Sequence, residues 1–212
     1  MIRRIVKPLV FVASLSPVAF ILWDINANPF NAIVRSTGFW SLRFLCLTLA
    51  ITPLRWLTGW QSLVKFRRMM GLFGFFYGIL HTIAYVVFDC AAGVDSSTRE
   101  APLAAMAHAL STVGRDLLRP FFAIGLVALV LMIPLAATST AGMIRRLGGH
   151  RWQALHRLVY PAAVVAILHT YWPLTLRWPR YALILCVIFL LRAGRAYARW
   201  QSSTVRTVHA EG

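Results

Sequence analysis

The amino-acid sequence predicts an all-α, polytopic membrane helix bundle of about six spans, with both chain ends on the cytoplasmic side. Three observations carry this. Hydrophobic residues fill 59% of the 212 positions and charged residues only 13%, against about a quarter charged in a soluble domain. Several apolar runs reach the roughly 20 residues that cross a bilayer. The 22 Lys and Arg, set against six acids, gather in short clusters between those runs, as they do in loops retained in the cytoplasm. The net charge of +16 therefore reads as membrane topology and not as a nucleic-acid surface.

The spans follow in order. The first, Leu9 to Trp23, comes after Arg3, Arg4 and Lys7. It resembles a signal peptide, but no small-x-small cleavage site follows promptly, so it is read as an uncleaved span. The second is Gly38 to Leu57 and the third Gly71 to Ala92, with Arg55, Lys65, Arg67 and Arg68 around the loop between them. The fourth is Leu117 to Ala137, the fifth Trp152 to Trp172, and the sixth Trp178 to Tyr197. Arg145, Arg146 and Arg151 precede the fifth, and Arg192, Arg195, Arg199 and Arg206 attend the end of the sixth. The alternate loops are poorer in net positive charge, which sets the orientation. Pro17, Pro53, Pro134 and Pro161 fall in or near spans, where membrane helices tolerate kinks. Trp40, Trp56, Trp60, Trp152, Trp172 and Trp178 are expected at span ends as an interfacial belt.

Cys46, Cys90 and Cys186 form no CxxC pair and no even set, so they are read as small buried hydrophobes. The sequence shows no internal repeat. The longest loop, Gly93 to Asp116, is expected outside. No stretch reads as a soluble nucleotide- or flavin-binding domain, and residues 1–212 are taken as one transmembrane domain. Such chemistry must come from a partner or from a site between helices.

Histidines are the informative residues. His209 lies in a polar tail, His108 in the outer loop and His150 beside basic residues, so these three are read as surface groups. His81, His156 and His169 fall within spans, where an ionisable ring is costly and marks a functional site. Gly71, Gly74, Gly78 and His81 are spaced i, i+3, i+7, i+10 and share one helical face, which Tyr85 extends. That face suits an iron ligand beside room for a flat macrocycle; the same glycines equally suit close helix packing. His156 and His169 are 13 residues apart, about 20 Å along a helix and roughly 140° out of phase. Pro161 lies between them and frees the carbonyl four residues back; a 3₁₀ stretch there would improve the phase and a wide turn would worsen it. A proton relay would want acidic partners, which these spans nearly lack, and a zinc ion would want the three rings at one depth. Haem held by imidazoles from facing helices is the use these rings fit best.

The segments "RRMMGLFGFFYGILHTIAY", "LAATSTAGMIRRLGGHRWQALHRLVY" and "AILHTYW" resemble the MsrQ (YedZ) family, the haem-binding membrane subunit of the bacterial periplasmic methionine-sulfoxide reductase system. "TGFWSLRFLCLTLAITPLR" and "LRPFFAIGL" fit the same pattern, and the likeness is weakest at the two ends and before Arg115. The family belongs to a ferric-reductase-like transmembrane group. The resemblance implies haem b, FMN, residence in the inner membrane, and electron delivery to a periplasmic molybdopterin enzyme that repairs oxidised methionine. The implied donor is the quinone pool or a cytosolic flavin reductase. A stand-alone ferric or quinone reductase, or a His-gated transporter, is the alternative function.

Carried over by position, His81 matches the family's third-span haem histidine, and His156 and His169 match its fifth-span pair. The group's pattern would place the outer haem on His81 and His169. An inner haem would want a third-span ligand at Arg67, which cannot bind iron. His156 would then share His81, use another partner, or support the group without ligating it. Arg67 and Arg68 suit haem propionates or a flavin phosphate, and they equally suit a plain topological role at the inner interface.

Overall fold

The computed structural model describes residues 5–23, 29–93, 111, 113–171 and 178–210. No strand occurs among them, and the expected all-α membrane bundle is what they form. The helices are α1 (Lys7–Trp23), α2 (Pro29–Thr58), α3 (Val64–Gly93), α4 (Pro120–Ala137), α5 (Ala141–Leu147), α6 (Gly149–His156), α7 (Val159–Tyr171) and α8 (Trp178–Ala210), with a 3₁₀ turn at Gln61–Leu63. Four of these are long and apolar enough to cross a membrane over Ala32–Thr58, Gln61–Val87, Pro120–Ala137 and Pro179–Ser202. α1, with 17 residues, and α7, with 13, are shorter apolar helices.

Several helices extend past the expected spans into polar sequence. α2 begins at Pro29, not Gly38. Proline opens a helix well because its missing N–H is not needed there. Thr37 turns its hydroxyl back onto the Ile33 carbonyl at 2.7 Å, so a polar residue costs little inside the helix. α3 takes in the basic turn Lys65–Arg68, and α8 continues through an Arg-rich stretch beyond Tyr197. Trp40 consequently lies well inside α2 and not at its end. Gly59, at φ +70°, stops α2, its N–H closing on the Arg55 carbonyl at 3.0 Å.

The expected fifth span is broken in two. α6 ends at His156 and α7 starts at Val159. Between them the N–H groups of Arg157, Leu158 and Tyr160 bond three residues back, to Ala154, Leu155 and Arg157. Pro161 has no N–H for the Arg157 carbonyl, and the Tyr160 N–H takes it at 3.0 Å. The break is therefore the tight, 3₁₀-type alternative.

α2 packs most extensively on α3, and α4 on α7. Contacts of α2 with α7 and of α3 with α4 close these two pairs into a four-helix ring. Its inward half is dry: Leu45, Leu49, Met132, Ala162, Ala163 and Ile167 form one buried cluster with residues of α8. A second cluster, Phe44, Ile51, Met70, Phe73 and Tyr77, welds α2 to α3. Tyr77 is fully buried and donates its hydroxyl to the Ser14 carbonyl at 2.9 Å, which ties α1 to the ring. Cys46 is buried as expected, but Cys186 is exposed on α8. A thiol is apolar enough to face lipid, so apolar sequence alone did not separate the core from the lipid-facing side. The Cys90 side chain lies outside the described residues.

Candidate haem site

At one end of the ring, α2, α3, α4 and α7 surround a cavity of about 440 Å³, within the range of small-molecule and cofactor sites. Its lining is largely apolar, and His81 and His169 meet across it. Their ring centroids are 6.0 Å apart and their planes are crossed at 74°. A metal–imidazole bond is about 2 Å, and each nitrogen lies ~1 Å from its ring centre, so two rings on one metal stand about 6 Å apart. The observed separation fits that arrangement.

Both rings are oriented in the same way. His81 Nδ1–H donates to the Val34 carbonyl of α2 at 2.8 Å. His169 Nδ1–H donates to the Phe121 carbonyl of α4 at 2.8 Å. A carbonyl only accepts, so Nδ1 carries the proton and Nε2 keeps the lone pair that a metal needs. Anchoring the non-ligating nitrogen on a backbone carbonyl is how metal-binding imidazoles are usually held. Phe121 also stacks on His169, at 5.0 Å and 14°.

Two glycines make room for the rings, and the sequence pattern did not single them out. A Cβ on Gly38 would stand 3.0 Å from His81 Nδ1, and one on Gly125 would stand 2.7 Å from His169 Cε1. The available signal was a lone glycine inside an apolar helix, a costly choice that implies close approach. The expected glycine face of α3 divides in function. Gly71 and Gly74 serve packing: Gly74 lies against the α2 backbone, and its carbonyl accepts from Ser41 at 2.8 Å. Gly78 lines the cavity. Arg35, exposed and also lining the cavity, was likewise missed. Tyr85 closes this end, donating to Asp116 at 3.0 Å, while Arg119 pairs with the same carboxylate at 3.1 Å.

At the other end His156 does not line that cavity. It stacks on Trp152 of its own helix at 3.9 Å, and its Nδ1–H donates to the Trp152 carbonyl at 3.0 Å. Its Nε2 is buried without a hydrogen-bond partner, as are Arg55 Nε and Trp56 Nε1, among the described residues. Arg67 is half-buried within electrostatic range of Arg55, Arg192 and His156, while Arg68 is exposed. Arg192 donates to the Leu49 carbonyl at 3.1 Å, and Arg195 lies 4.9 Å over the Trp56 ring. His150 is exposed, as expected; His108 and the His209 side chain lie outside the described residues. Among the described residues no three His, Cys, Asp or Glu converge on a point, so the zinc reading gains nothing.

One intramembrane cation also escaped the sequence reading. Arg43 of α2 donates from Nε to the Tyr181 hydroxyl at 3.0 Å, with its guanidinium 4.5 Å over the Trp40 ring. Those contacts hold a charge in the middle of α2, within its candidate membrane span.

The family described as "Ferric reductase like transmembrane component" matches residues 37–167, which run from α2 into α7, include His81 and His156, and stop two residues before His169. The haem-binding subunit MsrQ of protein-methionine-sulfoxide reductase from Herminiimonas arsenicoxydans is 46% identical over 173 residues, 79% of this chain and 72% of that protein. The MsrQ subunit of Bordetella pertussis is 48% identical over 172 residues, 79% of this chain and 76% of its own length. That of Ralstonia nicotianae is 50% identical over 147 residues, 69% of this chain and 61% of that protein. This chain belongs to the MsrQ family. As an MsrQ family member it is a multi-pass membrane protein of the ferric-reductase-like group. The resemblance read from "GILHTIAY" and "AILHTYW" is thereby borne out at the level of the family.

Proposed function

We propose that this chain is a haem b-binding electron-transfer subunit of the bacterial inner membrane. It delivers electrons to a periplasmic molybdopterin methionine-sulfoxide reductase that repairs oxidised proteins. Residues 1–212 act as one transmembrane domain, with both termini cytoplasmic by the distribution of positive charge. The observation that carries the reading is the His81–His169 pair, two carbonyl-anchored imidazoles 6.0 Å apart in an apolar cavity. When bound, haem b supplies a one-electron iron couple whose potential follows axial ligand, hydrogen bonding and burial.

The chain's own residues do the rest. His81 and His169 would hold the group through Nε2, the nitrogen that the Val34 and Phe121 carbonyls leave unprotonated by fixing the proton on Nδ1. Gly78 lets Ser41, Leu129 and Met132 close on the α3 backbone at the cavity wall. Leu42, Leu126, Leu129 and Met132 line the cavity and exclude water. Arg35, at the rim, is placed to pair with carboxylates. At the inner end His156 offers a buried, partnerless Nε2, a further ligand position for haem iron. Arg67, with Arg68 at the surface, offers guanidinium for haem propionates or for an FMN phosphate, and the quinone pool or a cytosolic flavin reductase supplies electrons there.

The test is a redox relay with purified protein. After anaerobic reduction of the haem, addition of the periplasmic catalytic subunit with a methionine-sulfoxide peptide should reoxidise it, and neither addition alone should. Rapid reduction of ferric chelates with no partner present would favour a stand-alone ferric reductase. Purified protein with no split b-type bands in its reduced-minus-oxidised spectrum would overturn the reading.

A further inference from the structure

His81 and His169 are seated in two copies of one device. In the pair α2/α3, the ring of His81 lies on Gly38, and its Nδ1–H reaches the carbonyl of Val34, four residues before that glycine. In the pair α4/α7, the ring of His169 lies on Gly125, and its Nδ1–H reaches the carbonyl of Phe121, again four residues before the glycine. The separation along the chain from carbonyl to histidine is 47 residues in the first and 48 in the second. Each histidine is thus gripped by the helix that its own helix packs on most extensively.

We propose that Gly38 and Gly125 are positioning residues for the two axial ligands, each working with the carbonyl four residues before it. The inference rests on the haem reading above. In a helix the carbonyl at i already accepts from the N–H at i+4, and that i+4 residue is the glycine. Lacking a side chain there, the helix lets the imidazole lie flat on its backbone and share the carbonyl. Any Cβ would stand in the ring's place. At Gly125 it would stand 2.7, 2.8 and 3.2 Å from Cε1, Nδ1 and Nε2 of His169, closer than carbon and nitrogen pack. At Gly38 the nearest approaches are 3.0 and 3.1 Å, to Nδ1 and Cε1 of His81, a milder overlap.

The atoms met are those of a side-chain ring and not of a backbone. Without haem, the ring can swing aside about its two side-chain torsions, so an alanine variant keeps its fold. With haem, the ring is held at both nitrogens, by iron and by the carbonyl, and cannot yield without loosening one of them. Gly38 and Gly125 therefore matter to ligand geometry and little to folding. Residues that support a metal ligand in this way typically change metal affinity about 10- to 100-fold.

The experiment compares wild type, Gly125→Ala, Gly38→Ala and Val127→Ala, an exposed position on the same helix as Gly125. Each is purified in detergent and read for haem per chain, haem dissociation rate, the ferric low-spin resonance and thermal unfolding of the haem-free form. Gly125→Ala should lose haem about tenfold faster or more, with a shifted low-spin signal and an unchanged haem-free melting curve. Gly38→Ala should change in the same direction by less, and Val127→Ala should match wild type. Should Gly125→Ala fail to accumulate, Gly38→Ala decides on the same readouts. Wild-type haem binding with both glycine variants unperturbed would overturn this inference alone. Wild-type protein without haem would overturn the functional reading, and this inference with it.

Discussion

The two ends of the bundle contain the same residue type in opposite settings. At the end lined by α2, α3, α4 and α7, His81 and His169 face each other over open space, each tied by Nδ1 to a helix other than its own. At the other end, His156 is tied to Trp152 one turn back on its own helix and covered by that residue's indole. Among the described residues no second imidazole stacks on it, and the cation Arg67 lies within electrostatic range. The difference shows that whether a histidine inside the bundle can face a second one across open space depends on what its neighbours leave out and which way they turn it. The glycines and carbonyls of α2 and α4 do both at one end. Nothing among the described residues does so at the other, although the orphaned Nε2 of His156 keeps that end available for a ligand.

The largest expected effect breaks the first end. His81→Ala or His169→Ala should each reduce bound haem at that site to background, read as pyridine haemochrome per chain, because the cavity offers these two imidazoles to the group and each substitution removes one of them. His156→Ala should be milder and should leave the His81–His169 haem in place. If it empties the protein as completely as the other two, the contrast between the ends is wrong. Arg67→Gln should lower the flavin recovered per chain more than Arg68→Gln does, because Arg67 is half-buried and Arg68 is exposed; equal losses would assign both to a surface role. The smallest effect concerns the cap over the first end. Asp116→Ala removes the hydrogen bond from the Tyr85 hydroxyl and the ion pair with Arg119, and should cost about 1 kcal/mol in thermal unfolding while leaving haem content near that of wild type.

Much of this was legible in the sequence for physical reasons. A run such as "FFAIGLVALVLMIPLAA" has few alternatives to a membrane helix. An imidazole in such a run must be explained, and that singled out His81, His156 and His169. Helix ends were less legible, because hydropathy stops where polar residues begin while the backbone continues: Pro29 to Thr37 and Lys65 to Arg68 are helical but not apolar. The phase of the fifth span depended on how the chain handles the carbonyl that Pro161 leaves free, which is a local hydrogen-bond choice that spacing does not determine. Gly38 and Gly125 were missed because their role is to be empty opposite a residue more than forty positions away. The two-fold recurrence of the carbonyl–glycine seat leaves no sequence repeat, since its working parts are a backbone carbonyl and an absent side chain.

The most direct test of the central claim is the low-temperature electron paramagnetic resonance of the oxidised, purified protein. Two neutral imidazoles on one ferric iron, with planes crossed as His81 and His169 are at 74°, should give a strongly anisotropic low-spin signal that disappears in both His81→Ala and His169→Ala. A dominant high-spin signal in the wild type, or a low-spin signal that survives either substitution, would contradict it.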